Sequence, residues 1–132
     1  MATKSYGQIE FRKVYMRYRE HLDFVLKDLS FTIRPGQKIG IVGRTGAGKS
    51  SILQALFRLV DVDPSLQGSC ILLDGVDIRE LGIRTLREKM AYIPQTPFVM
   101  AGTVRENLDP YARHSDADIW QALDEVALKY HV

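Results

Sequence analysis

Lys38-Ile39-Gly40-Ile41-Val42-Gly43-Arg44-Thr45-Gly46-Ala47-Gly48-Lys49-Ser50-Ser51-Ile52-Leu53 is the stretch that decides the fold. Its first five residues are almost wholly apolar, which is how a short strand buried on both faces reads. Gly43 to Ser50 then matches the pattern G-x-x-x-x-G-K-[ST]. From Lys49 onward Ile52, Leu53, Leu56, Phe57 and Val60 recur at helical spacing, so an amphipathic helix is expected to follow. Strand, glycine-rich loop and helix in that order make a phosphate cradle. The glycines let the backbone wrap an anion with successive N–H groups turned inward, and the helix N-terminus adds about half a positive charge. In that geometry Lys49 reaches the β- and γ-phosphates and the Ser50 hydroxyl ligates Mg²⁺. Ser51 offers a further donor to the α-phosphate.

Upstream, Ile9, Phe11 and Val14 begin an extended segment with one apolar face. Leu29, Phe31 and Ile33 alternate again before the turn at Pro35-Gly36. Downstream, Pro64 closes off the helix, and Ser69 to Leu73 reads as a strand ended by the turn pair Asp74-Gly75. A helical stretch around Ile83–Lys89 leads to an expected strand at Met90–Ile93, broken by Pro94 and Pro97. Thr103 and Glu106 have capping-box spacing, so a helix should start just after Thr103 and end at Asp109-Pro110. Ser115 caps a final helix whose apolar stripe is Ile119, Trp120, Leu123 and Val126.

Composition bounds the function. The chain has 132 residues, 45% hydrophobic and 26% charged, with a formal net charge of +2. That is ordinary globular composition for one domain and argues against intrinsic disorder. No apolar run is long enough to cross a bilayer, and Met1-Ala2-Thr3-Lys4-Ser5-Tyr6 carries no apolar h-region of a secretory signal. Cys70 is the single cysteine, which excludes an internal disulfide and a cysteine-cluster zinc site. Residues 1–58 carry 11 basic and 4 acidic side chains against 7 and 12 in the remainder. A basic half can attract nucleic acid or a phosphorylated small molecule. Lys38, Arg44 and Lys49 cluster around the phosphate loop, which favours the small molecule and no nucleic acid. His21, His114 and His131 are scattered without ligand spacing, so a metal or acid–base role is not assigned to them. Met16, Met90 and Met100 are read as packing residues.

Several ordered motifs carry a family resemblance that covers nearly the whole chain. Val42 to Ser51 resembles the ATP-binding cassette (ABC) form of the Walker A loop. Tyr15-Met16-Arg17-Tyr18-Arg19-Glu20, Val25-Leu26-Lys27-Asp28-Leu29, Leu72-Leu73-Asp74-Gly75 and Ile93-Pro94-Gln95 follow in family order. So do Gly102-Thr103-Val104-Arg105-Glu106-Asn107-Leu108-Asp109-Pro110 and the Trp120 helix. More narrowly, the pattern is similar to the second nucleotide-binding domain of the multidrug-resistance-associated (C) subfamily of transporters.

The resemblance implies an α/β fold, a P-loop NTPase core with an antiparallel β-subdomain. It implies ATP and Mg²⁺ as ligands. Tyr18 matches the aromatic that stacks on adenine, with Tyr15 and Phe24 as local competitors. Gln95 matches the Q-loop glutamine that joins Ser50 on Mg²⁺ and senses the transporter's membrane half. Gly43, Arg44, Thr45, Gly46, Ala47, Gly48, Lys49, Ser50 and Ser51 complete the nucleotide-binding set. The family's signature sequence, Walker B strand and switch histidine have no counterpart here, and in family order each would follow Val132. Residues 1–132 therefore match the N-terminal part of a nucleotide-binding domain, with no complete catalytic set and Gln95 only accessory. The implied partners are the transmembrane domains, through the Q-loop region, and a second nucleotide-binding domain that supplies the signature motif. The implied place is the cytoplasmic face of a membrane, with this chain itself soluble. A strand at Ile39–Val42 lacking its Walker B neighbour would leave a free edge, so self-association is expected. The segment Asp61-Val62-Asp63-Pro64-Ser65-Leu66-Gln67 is longer than the usual connection at that place. Two other readings stay open at this point: a non-hydrolysing nucleotide-binding or interaction module, and a small P-loop kinase or GTPase.

Overall fold

The computed structural model of the chain describes residues 6–44 and 48–132. They divide into two compact units, one up to Ala91 and one from Tyr92 to Val132. In the first unit β1 (Ile9–Met16), β2 (Leu26–Ile33), β3 (Cys70–Leu73) and β4 (Val76–Asp77) form an antiparallel sheet in the order β2-β1-β3-β4. This is the antiparallel sheet that the sequence led us to expect.

The β1–β2 ladder explains why the apolar pattern of β1 breaks after Phe11. Phe11 pairs with Phe31 and Val14 with Leu29, so β1 spends one residue more than β2 over that interval. The extra residue falls beside Lys13, whose φ of 44° is left-handed and whose amide donates to Ser30 Oγ at 2.8 Å. Between Val14↔Leu29 and Met16↔Leu26 the excess is on β2, where Asp28 has a φ of 48°. Two bulges of opposite sense thus keep Phe11, Val14 and Met16 on one face, and all three are buried. Asp74 and Gly75 both take positive φ, as a two-residue type I′ hairpin requires between β3 and β4.

On that face Phe11, Val14, Met16, Leu26, Ile71 and Leu73 form the core with Ala55 and Leu56 of α1 (Lys49–Leu56) and Leu86 of α2 (Ile83–Glu88). Phe11 stacks on Phe31 with ring centroids 4.5 Å apart. The C-terminal end of α1 is held by arginines. Arg87 donates to the carbonyls of Phe57 and Arg58, and Arg58 donates to those of Ile78 and Leu81. Arg87 thereby satisfies carbonyls that the end of a helix leaves open, while Arg58 ties that end to the connection between β4 and α2.

Two expected strands are not formed. Lys38–Val42 has no regular structure, and Ile39, Ile41 and Val42 are 51%, 45% and 94% exposed instead of buried. Met90–Ile93 likewise forms no strand. The first reads as a strand buried on both faces, and any strand exists only when neighbours on its edges take up its N–H and C=O groups. Among the described residues the sheet is wholly antiparallel, and neither segment belongs to it.

In the second unit both predicted capping boxes are present. Thr103 opens α3 (Val104–Leu108) with Glu106 at N3, and Ser115 opens α4 (Asp116–Glu125) with Asp118. Only Leu123 of the predicted α4 stripe is buried; Ile119 is half-buried, while Trp120 and Val126 are exposed. Between the helices the buried Asp109 carboxylate accepts the amides of Arg113 and His114, with His114 Nδ1 at 3.3 Å. Among the described residues no helix is long and apolar enough to cross a membrane.

Phe11→Ala removes the ring at the centre of the first unit and should cost about 3–5 kcal/mol in urea unfolding. In the second unit hydrogen bonds hold the carboxyls of Glu106, Asp109 and Asp118 below their usual range: from the Thr103 amide and hydroxyl, from the His114 and Arg113 amides, and from the Ser115 hydroxyl and amide. A lowered folded value stabilises the fold above the ordinary carboxyl range and loses that contribution as pH falls through the folded value. Helical circular dichroism should therefore hold above about pH 5 and decline on further acidification.

Candidate functional site

The site begins where α1 begins. Gly48 is its N-cap residue, with a left-handed φ of 95° that a side chain would strain. A Cβ there would touch Leu26 Cδ2, Val25 Cγ1 and the Val25 carbonyl, all at 3.5 Å. Those are ordinary contacts, so it is the left-handed φ that calls for glycine where the chain turns into the helix beside Val25 and Leu26. The first turn of α1 carries no acidic residue, and its N-cap supplies no side-chain acceptor. Among the described residues no side chain caps its opening amides, which is the condition for anion binding at a helix N-terminus.

Lys49 and Gly43 close the loop on itself, the ammonium donating to the Gly43 carbonyl. Gly43 and Arg44 are exposed, and Ser50 points its position in the helix to an exposed surface. Thr45, Gly46 and Ala47 lie outside the described residues. Ser51 is buried, and its hydroxyl is 2.7 Å from Tyr18 Oη. The Tyr18 ring, carried on the connection from β1 to β2, remains 44% exposed. The predicted aromatic and the predicted phosphate helix are therefore brought together by a direct hydrogen bond. An aromatic face beside a helix start with free amides fits a base joined to a phosphate chain, and the exposed Ser50 hydroxyl fits an accompanying cation. Gln95 belongs to the second unit, where it is exposed in a bend between Pro94 and Pro97.

Sequence reasoning missed the groups that anchor the Tyr18 connection. Arg17 pairs with Asp63 at 3.1 Å, donates to the Glu20 carbonyl at 2.7 Å and lies 4.8 Å above the Phe24 ring. Phe24 in turn meets Tyr15 edge-on, 5.4 Å between centroids. Asp63 is buried, its carboxyl held below the usual range by the Ser65 hydroxyl and amide and then by Arg17. The local signal was Asp63-Pro64-Ser65, a turn-forming triplet in which Asp caps its own backbone two residues on. Nothing in that triplet names Arg17 as the second partner.

Comparison with known proteins agrees with the geometry. The ABC transporter family model matches residues 26–131. "ABC transporter C family member 8" of Dictyostelium discoideum is 52% identical over 97% of this chain, and "ABC-type transporter cicA" of Emericella nidulans is 51% identical over 93%. "ATP-binding cassette sub-family C member 2" of Rattus norvegicus is 42% identical over 96%. The chain spans 8% of the length of each of these three relatives. With an exposed aromatic hydrogen-bonded to the start of α1 and these matches in agreement, the chain belongs to the ABC transporter family and resembles its C subfamily.

Proposed function

We propose that this chain binds Mg-ATP, and that in a full transporter the bound nucleotide is hydrolysed to drive export across a membrane. The observation that carries the reading is the Tyr18–Ser51 hydrogen bond, which ties an exposed aromatic face to the start of α1. In this reading the α1 amides and Lys49 hold the phosphates, with the main-chain groups of Gly43 to Gly48 around them. Ser51 completes the donors and Tyr18 supports the adenine. Mg²⁺ would offset phosphate charge, with Ser50 as a ligand and Gln95 as the further ligand that the family pattern implies. The family and the C-subfamily relatives support the further assignments. These are transmembrane domains contacting the Q-loop region, a second nucleotide-binding domain completing the site with its signature motif, and a position on the cytoplasmic face of the membrane.

Isothermal calorimetry tests the site directly. Lys49→Ala should abolish measurable Mg-ATP binding, because the phosphates lose their main cationic partner. Tyr18→Ala should weaken Mg-ATP by roughly 5- to 150-fold, the worth of one stacked base, and leave Mg-tripolyphosphate unchanged. Equal losses for both ligands would remove Tyr18 as the adenine platform.

Turnover and association are separate expectations. In this family the attacking water is oriented from an apolar strand ending in Asp-Glu, a pattern that no stretch after Gln95 matches, so phosphate release by the 132-residue chain should stay at background. Exposed Ile39, Ile41 and Val42 should make the chain self-associate with rising concentration in light scattering. A monomer with steady Lys49-dependent hydrolysis would contradict both.

A further inference from the structure

We propose that Asp63 is a positioning residue for nucleotide binding: through Arg17 it sets the orientation of the Tyr18 ring. The proposal rests on the reading of Tyr18 as the adenine platform. Tyr18 sits in the connection between β1 and β2, closed at its base by the Val25 amide donating to the Met16 carbonyl at 2.8 Å. The hydroxyl end of the ring is fixed on Ser51. A ring fixed only there can still swing about that hydrogen bond and turn its face away from a bound base. What fixes the backbone end is the neighbouring Arg17.

One guanidinium makes three contacts at once. It stacks over Phe24, donates to the Glu20 carbonyl and pairs with Asp63 Oδ2, so it spans the connection from both sides of Tyr18. The Arg17 side chain is 31% exposed, but that of Asp63 only 7%. Asp63 is itself immobilised. Its Oδ1 accepts the Ser65 amide and hydroxyl, and its own amide donates to the Tyr15 carbonyl at 2.9 Å. The carboxylate is thus a fixed, largely dehydrated anchor on the segment that follows α1, while Ser51 lies near the start of the same helix. Tyr18 is held between two points of one rigid piece. This gives a role to the long connection at Asp61–Gln67, which supplies no ligand to the phosphates.

Calorimetry on the whole chain, with Mg-ATP and Mg-tripolyphosphate as probes, decides the proposal. Asp63→Asn keeps the shape and an acceptor for Ser65 but removes the charge that holds Arg17. It should weaken Mg-ATP about three- to tenfold, part of a full stacking interaction, and leave Mg-tripolyphosphate unchanged. In a Tyr18→Ala background the same substitution should have no further effect on Mg-ATP, because the residue acts through that ring. Arg17→Gln, at a more exposed position, should reproduce the loss if Asp63→Asn fails to fold. The double variant of Asp63 and Arg17 should then be no worse than either single one. An unchanged Mg-ATP affinity, an equal loss for both probes, or an undiminished loss without Tyr18 would overturn the positioning role while leaving the platform standing. A Tyr18→Ala variant that loses both probes equally would instead remove the platform, and the positioning role with it.

Discussion

The seating of α1 on the antiparallel sheet is the constraint from which the site follows. Ser51, Ala55 and Leu56 are the buried positions of that helix, and the last two join the core formed by Phe11, Val14 and Met16. Burying them at about 25 cal/mol per Å² of apolar surface fixes the helix against the sheet without any directional bond. The helix start then lies against Val25 and Leu26, and the left-handed φ of Gly48 is what reserves that place for glycine. The opening amides, the Lys49 contact and the Ser51 hydroxyl all take their places from that packing, so apolar burial aims the polar groups of the candidate site.

Local chemistry was legible in the sequence wherever one short segment settles its own structure. The Thr103 and Ser115 capping boxes, the Asp74-Gly75 hairpin and the helix after Lys49 need only neighbours within four residues, and all are present. The segments at Lys38–Val42 and Met90–Ile93 have equally clear apolar runs, yet form no strands. A run of branched apolar residues states a preference for being buried in a sheet; it cannot supply the adjacent chain that makes the ladder. The difference between these two groups is the difference between hydrogen bonds that close locally and hydrogen bonds that need a partner from far away.

The candidate site divides in the same way. The phosphate-loop candidate could be named from sequence because Gly43 to Ser50 is contiguous, and the Tyr18 candidate because of its place in a family pattern. The Tyr18–Ser51 contact spans 33 positions, and the Arg17–Asp63 pair spans 46, so neither leaves a spacing signature. Arg17 read as one more surface cation among many, and Asp63 as part of an irregular loop. Their significance comes from burial of one carboxylate and the shape of one turn, which are properties of the folded chain alone.

The paired bulges of β1 and β2 have a consequence for how this sheet can change. Each strand carries a frame shift of one residue, and the two shifts cancel within a single ladder. Phe11 and Val14 lie three positions apart in β1, and Leu29 and Leu26 three apart in β2, spacings that would put them on opposite faces of a straight strand. Each bulge restores the phase within its own strand. Deleting one residue beside Lys13, or one beside Asp28, would straighten that strand with its inward side chains still inward. What such a deletion removes is a local bend and its extra twist, so strand length here sets the curvature of the hairpin and not which residues it buries.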